Sequence, residues 1–174
     1  AARMAGVPRV VNAVTGLAAV LLRLEALRLP APEHPAFAGM GCQITPGTLF
    51  HGGEFESMVP ARAQALVDVR LMPGQDVQGV LAAVQSAIDA EVALRPGLRV
   101  SVEIKNNLPG VALEPDHALV RAARTWTRII TGQEWAAAGA GPANEGYMLM
   151  QAGIPTLCGF GPTGGNAHAP DEWV

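Results

Sequence analysis

The segment ARAQALVDVRLMPGQDVQGVLAAVQSAIDAEVALRPGLRVSVEI (residues 61–104) changes its hydrophobic period twice, and those changes decide the architecture. Over 61–71 the chain alternates. Ala65, Val67, Val69 and Leu71 fall on one side, and Leu66, Asp68 and Arg70 on the other, which is the period of a half-buried strand. MPGQD then turns the chain and starts a helix. Val77, Val80, Leu81, Val84, Ile88 and Val92 recur at helical spacing over about 76–94. LRVSVEI (98–104) restores the alternation, with Leu98, Val100, Val102 and Ile104 inward and Arg99, Ser101 and Glu103 outward.

Working upstream, Val11, Val14, Ala18, Leu21, Leu22 and Leu29 predict a helix from about 9 to 29, stopped by Pro30 and Pro32. MGCQITPGTLFHGG (40–53) reads as a strand broken or bulged near Pro46-Gly47. Residues 9–105 are therefore helix–strand–strand–helix–strand: an α+β layer of two helices on one face of an antiparallel sheet. One more strand ahead of the first helix would complete a ferredoxin-like βαββαβ arrangement, so the expected fold is ferredoxin-like with its first strand missing. NNLPGVALEPD (106–116) is linker-like. Beyond it come a helix over about 116–131, a short strand WAAAGA (135–140), a glycine-rich loop, a short helix EGYMLMQAG (145–153) and a strand IPTLCGF (154–160), a partial α/β segment. The expected domains are 1–110 and 111–174.

Composition narrows the partners. Hydrophobic residues make up 49% of the chain and charged residues 16%, so it is neither disordered nor an electrostatic platform. With a net charge of −3 and Lys105 as its single lysine, it offers no basic surface to a nucleic acid. The greasiest segment, Val10 to Leu29, is interrupted by Asn12, Arg23, Glu25 and Arg28, which argues against a membrane span. AARMAGVPRVV carries no signal-peptide pattern, and Cys42 and Cys158 read as two buried free thiols of a cytoplasmic protein.

Four histidines are candidates for chemistry. His34 lies between prolines and His117 at a helix start, where surface positions are the default. His51, in FHGGE, has two glycines after it that let a ligand approach the backbone. His168, in GGNAHAPDEWV (164–174), stands out because Gly164 and Gly165 permit unusual backbone shapes and Pro170 fixes the turn beyond it. A ring hydrogen bond to a loop carbonyl would also explain it, and Asp171 and Glu172 either support an imidazole or cap the following turn. One histidine is a single ligand of an incomplete metal constellation, since catalytic zinc takes about three protein ligands. Arg70, on the polar strand face, is able to clamp a carboxylate or simply to sit in solvent. AGAGPANEGYM (138–148) turns from strand to helix and points amides near Asn144–Gly146 toward a possible anion, at a spacing that matches no nucleotide-binding fingerprint.

Together these stretches resemble the dinuclear-zinc amidohydrolases and peptidases typified by acetylornithine deacetylase, succinyl-diaminopimelate desuccinylase, aminoacylase and carboxypeptidase G. GGEFESMVPARAQALVDVRLMPGQ (52–75) is similar to the hallmark of their lid domain, GVPRVVNAV (6–14) to the start of its first helix, and GPANEGYMLMQAGIPTLCGFGPTGGNAHAPDEWV (141–174) to their last catalytic-domain motif. The resemblance implies that 1–110 is a ferredoxin-like dimerisation lid and 111–174 the C-terminal portion of a zinc-binding catalytic domain. It makes His168 a metal ligand and Arg70 the group that binds the substrate carboxylate. Asn144 and Glu145 fall where the family has Ser/Thr-Asp beside the site, Ser57 where it commonly has asparagine, and Gly164 and Gly165 in its glycine turn.

The implied cofactor is a pair of divalent ions, zinc with cobalt or manganese as alternatives. The implied reaction is hydrolysis of an N-acyl amide or peptide bond next to a carboxylate, on a small acylated amino acid or peptide. The implied assembly is a homodimer through the lid, and the apolar stripe Val10, Val14, Leu17, Val20, Leu21, Leu24 and Leu27 is its expected surface. The family's other histidine, bridging aspartate and Glu-Glu pair have no counterpart in 1–174, so the fragment by itself is expected to be inactive. A non-catalytic dimerisation module is the alternative.

Overall fold

The computed structural model describes residues 10–141, 144–162 and 164–174. They form two compact units, one comprising 40–107 together with the chain up to Pro32, the other Glu33–Gly39 with Leu108–Val174.

The first unit is two helices on a two-stranded antiparallel sheet, a mixed α/β architecture consistent with part of the expected ferredoxin-like fold. Helix α1 spans Ala13–Ala26; the Asn12 side chain caps it by accepting the Thr15 amide at 3.1 Å. Strand β1 (Gln43–Gly52) pairs antiparallel with β2 (Ala63–Arg70), and the register slips between Pro46 and Leu49. That is the bulge expected at Pro46-Gly47, where proline has no amide to give the ladder. Helix α2 (Val77–Ala93) starts at Asp76, whose carboxylate accepts the Gln78 amide at 3.0 Å.

Val20, Leu24 and Ile88 form the buried centre. Ile44, Val67, Val84 and Val100 pack around it from both strands, the second helix and the segment after it. Gly16 is needed where α1 meets the chain beyond α2, because a Cβ there would stand 2.6 Å from Leu98 Cδ1.

The expected strand 98–104 has no regular secondary structure and joins no ladder among the described residues. Leu98 is buried and Val100 half-buried, as its alternation requires, yet Val102 and Ile104 on the same parity are exposed. Alternation fixes which side a residue faces; a ladder also needs a neighbouring strand.

The apolar stripe of α1 also divides differently from expectation. Val20 and Leu24 belong to the core, Val14, Leu17, Leu21 and Leu27 are half-buried, and the exposed apolar residues are Leu22 (66% exposed) and Val10.

In the second unit α3 spans Ala118–Thr131 and ends at Gly132, which takes the left-handed conformation (φ 71°) that glycine accommodates. A six-residue helix α4 covers Gly146–Gln151. WAAAGA and IPTLCGF, expected as strands, form no ladder among the described residues. Val120 is the one buried apolar residue described there. A cavity of about 670 Å³ lies between α3 and these segments, lined by Val111, Leu113, Val120, Trp135, Met150 and Cys158 among others. No described helix is long and apolar enough to cross a membrane.

Candidate functional site

Each unit carries its own part of the residues singled out from the sequence. In the first unit Arg70 closes β2 on the face opposite the helices, half exposed. Its Nε donates to Asp68 Oδ2 at 2.6 Å. That bond restrains the side chain and leaves the two terminal nitrogens as a fork able to meet a carboxylate end-on. Asp68 lowers the local positive potential that an anion would feel, so the fork is weaker than an unpaired arginine. Ser57 lies in the turn between the strands with φ 62°. A left-handed backbone disfavours serine and suits asparagine or glycine, a physical reason for asparagine at this position. His51 is exposed on β1 opposite Gln64.

In the second unit His168 sits on a closed loop. Gly165 and Trp173 exchange both backbone hydrogen bonds, at 3.0 and 3.1 Å. Between them Asn166 and His168 adopt φ 56° and 65°. The His168 amide donates to Glu172 Oε2 at 3.2 Å, and Asn166 Nδ2 donates to Asp171 Oδ2 at 3.0 Å. Glu172 therefore braces the loop backbone at His168 and Asp171 braces the Asn166 side chain within the same loop. Gly165 is required for space and not for a left-handed backbone, since a Cβ there would stand 2.7 Å from the Trp173 indole nitrogen. A histidine held at positive φ by carboxylate braces costs of order 1 kcal/mol or more, and such strain concentrates at functional positions.

Asn144 does not leave an open anion cradle. Its Oδ1 already accepts the Gly146 amide at 2.8 Å and the Cys158 thiol at 3.2 Å. Glu145 precedes α4 without making a side-chain cap. The amides expected to meet an anion there are thus partly satisfied by the chain itself. The cavity of this unit is a separate matter: among its described lining residues there is no carboxylate and no imidazole, so it is an unfilled apolar interior.

No group of three or more His, Cys, Asp or Glu side chains able to hold a metal ion occurs among the described residues. The described residues do not by themselves amount to a zinc site, which takes about three protein ligands. Cys42 and Cys158 are free, as expected, but only half-buried; burial raises the Cys42 thiol above the usual range.

Sequence reasoning missed three polar roles. His34 and His117 are helix caps, their Nδ1 atoms accepting the Ala36 and Leu119 amides at 3.1 and 3.2 Å. Glu91, 6% exposed on α2, binds Arg23 of α1 through Nε at 2.6 Å and also pairs with Arg95 one turn on. The Glu91-x-x-x-Arg95 spacing and an arginine inside the apolar α1 were the available signals.

Residues 1–95 match a family described as the peptidase dimerisation domain. The chain belongs to this family. The match covers α1, α2, the hairpin, Ser57 and Arg70, and ends before 98–104 and before residues 108–174 of the second unit. No curated protein and no solved structure matches the chain. A peptidase dimerisation domain is part of a peptidase or hydrolase family, and that places this chain among its members.

Proposed function

We propose that the chain is the dimerisation lid, with a C-terminal segment, of a metal-dependent hydrolase that cleaves an N-acyl amide or peptide bond next to a carboxylate. The observation that carries this reading is the family match over 1–95 together with Arg70, whose guanidinium is restrained by Asp68 through Nε alone. In it the first unit pairs two copies and offers the Arg70 fork to a substrate carboxylate, and His168 contributes one imidazole to a metal site completed by residues other than these. A second reading, a pairing module without catalysis, is favoured by the lack of a three-residue metal cluster among the described residues.

Two measurements test these readings. Light scattering after size exclusion, over a hundredfold dilution, is expected to give about twice the 18.0 kDa chain mass. Leu22→Glu, on the exposed side of α1, is expected to shift it toward monomer, and a wild-type chain monomeric at high concentration overturns the pairing role. Titration of an N-acetyl amino acid is expected to perturb the NMR signals of the Arg70 guanidinium in the wild type, and Arg70→Lys to lose binding because it lacks the planar fork. No perturbation at Arg70 favours the pairing module.

A further inference from the structure

The face of the hairpin turned away from the helices is polar except at one place. Val67 packs into the core, so Gln64, Leu66, Asp68 and Arg70 share the opposite face of β2. Across the ladder Arg70 meets Gln43, Asp68 meets Thr45 and Gln64 meets His51, all polar pairs. Leu66 meets Leu49, and these two stay 36% and 47% exposed. The break in β1 is what brings them together. Gln43 to Pro46 pair in step with Arg70 to Val67, and an unbroken count would set Gly47 opposite Leu66. The ladder instead skips Gly47 and Thr48 and sets Leu49 there. Skipping two residues keeps the parity of the strand, so both leucines stand on the Arg70 face, their Cβ atoms about 5 Å apart.

The Arg70 fork and this leucine pair lie within reach of one small molecule. Same-face neighbours on a strand are about 7 Å apart, so Asp68 stands one step from Leu66. The bond of 2.6 Å from Arg70 Nε to Asp68 Oδ2 holds the guanidinium beside Asp68. Asp68 also offsets the charge of Arg70, so a bare carboxylate gains little there. Apolar contact has to supply the rest of the affinity.

We propose that Leu49 and Leu66 select the apolar arm of the substrate, so that the chain prefers N-acyl amino acids with an acyl group longer than acetyl. The inference rests on the reading of Arg70 as the carboxylate clamp. In an N-acylglycine an acetyl group ends about 5 Å from the carboxylate carbon, short of the leucines, whereas a hexanoyl chain extends about 10 Å and covers them.

NMR titrations of the 174-residue chain with N-acetylglycine, N-hexanoylglycine and N-hexanoylglycinamide test this. N-hexanoylglycine is expected to shift the Arg70 Nε–H and the Leu49 and Leu66 methyls together, and to bind about tenfold more tightly than N-acetylglycine. The amide, which has the chain without the carboxylate, is expected to bind several-fold more weakly and to leave Arg70 unshifted. Leu66→Thr, or Leu49→Thr where the first fails to fold, is expected to bring the two acids to equal affinity. Equal affinities in the wild type, with Arg70 shifted by both acids, overturn the selection by chain length and leave the carboxylate clamp standing. A preference for the longer chain that survives the threonine variants overturns the role of the leucines. Arg70 unshifted by either acid overturns the clamp itself, and this inference with it.

Discussion

The two units have similar apolar content and opposite interiors. In the first, Val20, Leu24, Met72, Val80, Ile88 and Leu98 are buried between helices and sheet. In the second only Val120 is buried among the described residues, while Trp126, Ile129 and Ile130 of α3 stand 62%, 60% and 79% exposed. The difference lies in what the neighbouring elements can do. α1 and α2 have a paired hairpin beneath them; α3 faces segments that form no ladder among the described residues. Periodicity supplies an apolar face, and a second paired layer has to meet it before burial stabilises anything.

The sharpest way to break this contrast is to compare truncations in the two interiors. Leu24→Ala is expected to lower unfolding stability by about 2–5 kcal/mol, because a buried side chain leaves a cavity, whereas Trp126→Ala is expected to change it by less than about 0.5 kcal/mol. Denaturant unfolding followed by circular dichroism checks both. Equal costs would mean that the second unit has an interior of its own. Leu24→Glu, which lies on the apolar stripe, would unfold the first unit and report nothing about pairing; Leu22 is the position for that purpose.

A smaller effect is expected at Glu91, the one buried charge among the described residues. Glu91→Ala is expected to destabilise the first unit by about 2–3 kcal/mol, since it removes the partner of Arg23 and of Arg95 at the helix interface. The arginines stay over a third exposed and can turn to water, which keeps the figure below that of a fully buried pair. A change below about 0.5 kcal/mol would class the triad with ordinary surface pairs.

The smallest effect is a gain. Ser57→Gly is expected to stabilise the chain by about 0.5 kcal/mol, as relief of a left-handed serine outweighs the added freedom of the unfolded chain. Thermal melts of Ser57→Gly beside Ser57→Ala check it, and a loss of stability with glycine would show that the serine side chain holds the turn.

Much of the first unit was legible because its signals are local. The alternation of 61–71 places Val67 inward and Arg70 outward with no knowledge of neighbours, and Pro46-Gly47 announces the slip in register. What needed a second body was not legible: the ladder for 98–104, the covering of α3, and the Arg23–Glu91 pair, whose members are 68 residues apart. The candidate site divides the same way. His168 was recognisable from its glycines and the carboxylates after it. That those carboxylates are spent on the backbone at His168 and on Asn166, and that Asn144 is occupied by Gly146 and Cys158, depends on a loop closing on itself.

The slip in β1 also governs how copies of the chain can meet. Pro46 offers no amide, and the break between Pro46 and Leu49 splits the strand into short runs at 43–46 and 49–52. A template for continuous cross-strand growth needs a longer flat edge than either run provides. The free side of this hairpin is therefore suited to a finite handshake between two copies and poorly suited to an endless stack. A fold whose family works by pairing keeps its stickiest edge from becoming a fibre seed.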